Sequence, residues 1–328
     1  MCGHCGCGAK AGATVLNLQT GRETSLGRPE AGEHSHDHDH VHADGVAHTH
    51  SHEHHHGHFL EADPGHHHHH HDDHHHHHDH HHHHHDHDHA HEHLHAEHHS
   101  AHAPSTVVDL EERILAKNDA LAAKNRAWFA GREILALNLV SSPGAGKTTL
   151  LERTIRDLHH DANIFVIEGD QATANDGERI RLAGAPAVQV NTGTGCHLEA
   201  DMIARGVSEL RPPPGAVVMI ENVGNLVCPA MFDLGERARV VILSVTEGED
   251  KPLKYPHMFR SANLMILNKI DLLPHLDFDV DRALAHARQV NPDIEVLQLS
   301  ARSGAGFEEW YSWIRRQSQL VKETVFAS

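Results

Sequence analysis

The chain predicts an α/β fold, a mainly parallel sheet of about seven strands with helices on both faces, behind a disordered histidine-rich N-terminal arm. Three observations carry this. From residue 134 onward, apolar runs alternate with stretches of helical period. One strand–loop–helix passage has the small-residue composition that suits a phosphate chain. Of the 44 histidines, 37 fall between His34 and His102, with almost nothing apolar among them.

The chain opens with Cys2, Cys5 and Cys7, separated by gaps of two residues and one. Such gaps bring three thiols within reach of one ion, and the intervening glycines let the backbone fold tightly around it. With Met1 removed, the new α-amine becomes another ligand, and amine plus thiolates suits square-planar Ni(II) better than tetrahedral Zn²⁺. Residues 9–33 read as a polar linker. The segment from His34 to His102 mixes His with Asp and Glu, and is too poor in apolar groups to offset chain ordering. Interleaved imidazoles and carboxylates there make many weak, overlapping sites, as a metal reservoir would. The boundaries expected are therefore 1–8 for the cysteine motif, 9–105 for the linker and histidine-rich segment, and 106–328 for the folded domain.

Within that domain, residues 106–132 have helical spacing, and the helix is expected to pack on the sheet edge. Strands are expected at 134–140, 163–168, 187–191, 216–221, 239–245, 263–268 and 294–299, with helices near 148–159, 196–210, 280–290 and 307–321. Buried Val, Ile and Leu runs between amphipathic helices mean parallel strands covered on both faces, with sites at their C-terminal ends.

Composition narrows the function. The formal charge is −19 with His neutral, and no basic stripe is present, which argues against a nucleic-acid partner. Apolar runs stay short of membrane-spanning length, and no signal-peptide pattern opens the chain. Five cysteines, an odd number with three at the start, fit metal binding in a reducing cytoplasmic setting better than disulfides.

The phosphate passage is Ser141-Ser142-Pro143-Gly144-Ala145-Gly146-Lys147-Thr148-Thr149, a P-loop except that Ser141 replaces the usual first glycine. Backbone N–H groups of Gly144, Ala145, Gly146 and Thr149 would face phosphates, Lys147 would reach the β- and γ-phosphates, and Thr148 would ligate Mg²⁺. After the sixth strand, Asn268-Lys269-Ile270-Asp271 fits guanine: the Asp271 carboxylate can accept from N1–H and the exocyclic amine, donors that adenine lacks as a pair. Asn268 is expected at the far base edge, the Lys269 stem against its face, and Ser300-Ala301 near O6. GTP is the expected nucleotide.

Two acidic strand ends lie between these elements, Glu168-Gly169-Asp170 and Glu221-Asn222-Val223-Gly224. Either could hold Mg²⁺. Asp170 is assigned to the metal and attacking water, Glu221 to a switch, and the Gly224 N–H to sensing the γ-phosphate. With Lys147, these two carboxylates are the expected catalytic set. The absence of a clear water-orienting Gln or cis arginine predicts slow turnover. Cys196, His197 and Cys228 supply three soft or borderline ligands, one short of a tetrahedral set. A water or second subunit would complete it. Because Cys228 shares a segment with the switch, nucleotide state and metal geometry are expected to be linked.

These strings, together with Gly195-Cys196-His197-Leu198, Glu221–Pro229 and Glu247–Pro256, resemble the HypB family of hydrogenase nickel-incorporation GTPases over roughly residues 106–320. The cysteine start and histidine-rich insert resemble its extended members. The resemblance implies a GTP-hydrolysing nickel metallochaperone that works with a HypA-type nickel chaperone on the large subunit of NiFe hydrogenase. It also implies a GTP-dependent homodimer with Cys196, His197 and Cys228 at the interface, binding Ni²⁺ or Zn²⁺. Two rivals stand beside it: a urease accessory GTPase, whose metal motif is expected as Cys-x-His, and a nickel storage protein with a regulatory G domain.

Overall fold

The computed structural model describes residues 13–26, 35–41, 47–53, 107–170, 175–193 and 195–326. Cys2, Cys5, Cys7 and most of the histidine-rich segment lie outside the described residues. The chain divides into residues 28–104 and a larger unit of 1–27 with 105–328.

Strand β1 (Thr14–Asn17) and β2 (Glu23–Ser25) come first, followed by β3 (Ser35–Val41) and β4 (Ala47–Glu53). Helix α1 (Val107–Ala130) leads into β5 (Leu135–Ser141), α2 (Lys147–Leu158), β6 (Ile164–Asp170), α3 (Asn175–Ala183), β7 (Ala187–Asn191) and α4 (Ala200–Leu210). Then follow β8 (Val217–Glu221), the one-turn α5 (Cys228–Met231), β9 (Ala238–Ser244), α6 (Lys251–Lys254), α7 (Pro256–Ser261) and β10 (Leu264–Asn268). A 3-10 turn (Ile270–His275), α8 (Val280–Val290), β11 (Glu295–Gln298) and α9 (Phe307–Phe326) complete the chain.

The sheet runs β11-β10-β9-β5-β8-β6-β7-β1-β2. The seven strands from β5 onward are parallel, as expected. Strands β5 and β9 are buried along their whole length, which is why they carry continuous Leu, Val and Ile. Alternate side chains of a strand serve opposite layers. Leu135, Leu137 and Leu139 meet Leu150, Leu151 and Ile155 of α2 and Trp310 of α9, whereas Ala136 meets Phe129 of α1 and Ile203 of α4. A third cluster joins Val241, Leu243 and Leu267 to Met258 and Phe259.

Two expectations are corrected. Residues 13–26 are part of the sheet: β1 pairs antiparallel with β7, setting Val15 opposite Val190, and β2 pairs with β1. Ala13, Val15 and Leu26 are buried, so that stretch of the linker is core. Helix α1 lies over a face, with Phe129 packed against Ile134 and Ile203, because its Asn125 also ties it to the carbonyls of Ala200 and Leu234. In the smaller unit, β3 and β4 form an antiparallel hairpin with His36, His38 and His40 opposite His52, His50 and His48. Strict alternation of His with smaller polar residues has the period of a strand.

Candidate functional site

The phosphate loop leaves the central strand β5 and turns into α2 at Gly146, whose φ of 100° is left-handed. A Cβ there would stand 2.5 Å from Asn268 Nδ2, so only glycine lets the base loop close on the phosphate loop. Lys147 is buried and donates to Ser141 Oγ at 3.0 Å. Ser141, the departure from the usual glycine, thus seats the lysine. Thr148 donates to Glu221 Oε1 at 2.7 Å.

Lys147, Thr148 and Glu221 line a cleft of about 580 Å³ together with Gly144, Gly146, Thr149, Glu168, Asp170, Asp176, Arg179, Asn222, Gly224 and Lys269. Its floor is acidic. Burial, reinforced by the charges of Glu221, Asp170 and Asp176 and opposed by Lys147, pushes the Glu168 carboxyl up to about 9. Burial raises Glu221 as well, against the pull of Lys147 and the Thr148 hydrogen bond. One oxygen on each, Oε2 in both cases, is buried without a hydrogen-bond partner. Two such oxygens beside a threonine hydroxyl make the hard-oxygen donor set that Mg²⁺ takes. Gly224 approaches the loop closely, since a Cβ on it would sit 3.3 Å from Pro143 Cα.

The base-loop residues differ in their duties. Asn268 is buried, donates to the Ala145 carbonyl at 2.8 Å, and accepts from the N–H groups of Lys269 and Ala301 at 2.7 and 3.1 Å. In this structure it ties two loops together. Lys269, at φ 65°, donates to the Gly144 carbonyl at 2.7 Å. Ser300 Oγ donates to Asp271 Oδ1, so both guanine candidates stand side by side.

Arg179 and Asp176 were missed. Arg179 donates to Thr149 Oγ1 at 3.2 Å and pairs with Glu152 and Asp176 at 2.7 and 3.0 Å. Their i, i+3 spacing in an acidic first turn just after the β6 acidic end was the available signal. Glu168 was weighed only as part of its strand end; burial sets its carboxyl far above the ordinary range.

Cys196, His197 and Cys228 come together, with ligand atoms within 4.8 Å of one another. Cys196 Sγ lies 3.7 Å from His197 Nδ1. Burial lowers the His197 pKa, which keeps the ring neutral, and its Nε2 has no hydrogen-bond partner. A neutral imidazole and two thiols fit Ni²⁺ or Zn²⁺. Helix α4 begins at Ala200 and not near 196, so Cys196 lies ahead of it; Thr192 Oγ1 donates to the Gly195 carbonyl at 2.7 Å, closing a turn.

Residues 135–298 match the family described as CobW/HypB/UreG, nucleotide-binding domain. Hydrogenase maturation factor HypB of Azotobacter chroococcum mcd 1 is 61% identical over 221 residues, 66% of this chain and 72% of the relative. A crystal structure of hydrogenase maturation factor HypB from Archaeoglobus fulgidus aligns with TM-score 0.58 at 39% identity, covering 62% of this chain and 99% of that one. HypB from Helicobacter pylori in complex with nickel aligns with TM-score 0.59 at 36% identity, covering 62% and 95%. With its phosphate loop, acidic strand ends and cysteine–histidine cluster in that alignment, the chain belongs to the HypB family of the CobW/HypB/UreG nucleotide-binding proteins.

Proposed function

We propose that this chain is a GTP-hydrolysing nickel metallochaperone of NiFe-hydrogenase maturation, in which the guanine nucleotide governs how tightly Cys196, His197 and Cys228 hold the metal. One observation carries the reading. The cleft and the metal cluster are the two ends of one short segment, since β8 ends at Glu221 and α5 begins at Cys228. The relative's hydrogenase-maturation role and the nickel-bound Helicobacter pylori structure support the pathway and the cargo.

In this reading Lys147 leaves Ser141 for the β- and γ-phosphates, and the Gly224 N–H meets the γ-phosphate. Thr148, Glu221 and Glu168, with Asp170 beside them, would hold Mg²⁺, which would supply positive charge to the phosphates. Asp170 orients the attacking water, and Asp271 with Ser300 and Ala301 selects guanine. The cargo is Ni²⁺, with Zn²⁺ accepted by the same donors. Val227 and Met231, apolar yet 47% and 52% exposed, flank Cys228, which supports a GTP-dependent homodimer closing over the metal. A HypA-type chaperone and the hydrogenase large subunit are the proposed partners. Adjacent Cys196 and His197 count against the urease-accessory reading.

Extracts that assemble NiFe hydrogenase at limiting nickel provide the test. Lys147→Ala and Cys228→Ala are each expected to lose most nickel incorporation. Full incorporation with Cys228→Ala would exclude delivery from this cluster, and with Lys147→Ala would exclude the nucleotide requirement.

A further inference from the structure

We infer that Asn222 is a positioning residue that conveys the state of the nucleotide cleft to the Cys196–His197 half of the metal cluster, an inference that rests on the nucleotide-gated reading above. The Glu221–Cys228 segment connects only one ligand to the cleft. Cys196 and His197 lie in a different crossover, between β7 and α4. A buried polar network spans that gap.

Asn222 is 1% exposed and lines the cleft beside Glu221. Its Oδ1 accepts from the Leu198 N–H at 3.2 Å and from the Val223 N–H at 3.0 Å. Its Nδ2 donates to Asn138 Oδ1 at 3.3 Å. Asn138, wholly buried on β5, donates to Glu236 Oε1 at 3.1 Å, and Glu236 pairs with Arg239 at 2.9 Å. Arg239 in turn donates to the Phe232 carbonyl at 2.9 Å, and the Phe232 ring stacks on His197 with centroids 3.8 Å apart. The network therefore holds the N–H of the residue after His197 on one side and, on the other, the backbone of Phe232, whose ring stacks on His197.

Leu198 has a second tie to the cleft. Its side chain lies against Gly169, where a Cβ would be 2.8 Å from it, and Gly169 separates Glu168 from Asp170. Both acidic strand ends thus bear on one residue, and Leu198 is fully buried. If Asn222 shifts with the third phosphate, it either carries Leu198 along or leaves a buried N–H without its acceptor, which is costly. Movement of the ligand loop is the cheaper course.

The test uses the full chain with Cys2, Cys5 and Cys7 changed to Ser, so that nickel–thiolate absorption reports Cys196 and Cys228 alone. Nickel affinity is measured by chelator competition with GDP and with a non-hydrolysable GTP analogue. The reference chain should show a ratio of about fivefold or more between the two states. Asn222→Ala and Asn138→Ala should each bring that ratio to within about twofold, while Asn138→Ala leaves nucleotide affinity unchanged. Amide exchange at Leu198 in the reference chain should also differ between the nucleotides, a readout independent of whether the variants fold. A preserved ratio in the variants, or a Leu198 amide indifferent to nucleotide, overturns the inference. A reference chain without any ratio overturns the nucleotide-gated reading itself.

Discussion

Lys147, Glu168 and Thr148 show how much depends on single side chains in the cleft. Lys147 rests on Ser141 Oγ and shares a dry environment with two carboxylates. Lys147→Ala should lower phosphate release from GTP by about 10²-fold or more, the scale of losing one preorganised charge donor; near-normal turnover would remove the lysine from the chemistry. Glu168 makes a pH prediction. Its folded pKa, about 9, lies above the ordinary value of 4.5, so the native state holds a proton that the unfolded chain gives up. Its stabilising contribution is complete below about pH 4.5 and declines as pH rises through 9. Denaturation midpoints of the nucleotide-free, magnesium-free protein should therefore fall across that window, and Glu168→Gln should flatten the decline. The lysine and threonine were legible from spacing. The raised pKa of Glu168 was not, because desolvation depends on what packs around a carboxylate.

At the scale of elements, the parallel strands and the long helices were readable because buried strands need continuous apolar runs and covering helices need an apolar stripe. Strands β1 and β2 were not. Thr14-Val15-Leu16-Asn17 and Glu23-Thr24-Ser25 are short, polar-flanked runs around a turn, and the partner strand β7 lies far beyond the histidine-rich stretch. Val15→Asp tests their place: an unpaired charge among Val188 and Val190 should cost about 2–4 kcal/mol, read from the urea midpoint. A loss below about 0.5 kcal/mol would fit an exposed site instead. The base loop carries a second prediction. Asp271→Asn replaces an acceptor with a donor, so preference should move from GTP toward xanthosine triphosphate in competition binding; unaltered selectivity would contradict the assignment. Spacing brought out Asp271 and Ser300, which the structure sets side by side; that Asn268 also ties the phosphate loop to the base loop was not legible, since no spacing rule gives an amide its partners within the protein.

For the whole molecule, no helix among the described residues is long and apolar enough to cross a membrane. The larger unit sets a nucleotide cleft and a thiol–imidazole cluster at the same edge of one sheet, joined by the Glu221–Cys228 segment and by the Asn222 network. The cluster itself was legible, as an adjacent Cys-His pair and a distant Cys that the structure brings together. Its second connection was not legible, because which buried side chains Asn222 bonds, Asn138 and through it Glu236 and Arg239, depends on packing and not on spacing. The central claim is that the two sites share free energy, and binding linkage makes the effect reciprocal. The direct test is the affinity of a non-hydrolysable GTP analogue with and without saturating Ni²⁺, with Cys228→Ala as control. The account predicts a shift of about fivefold or more that disappears in the control; equal affinities with and without nickel would contradict it.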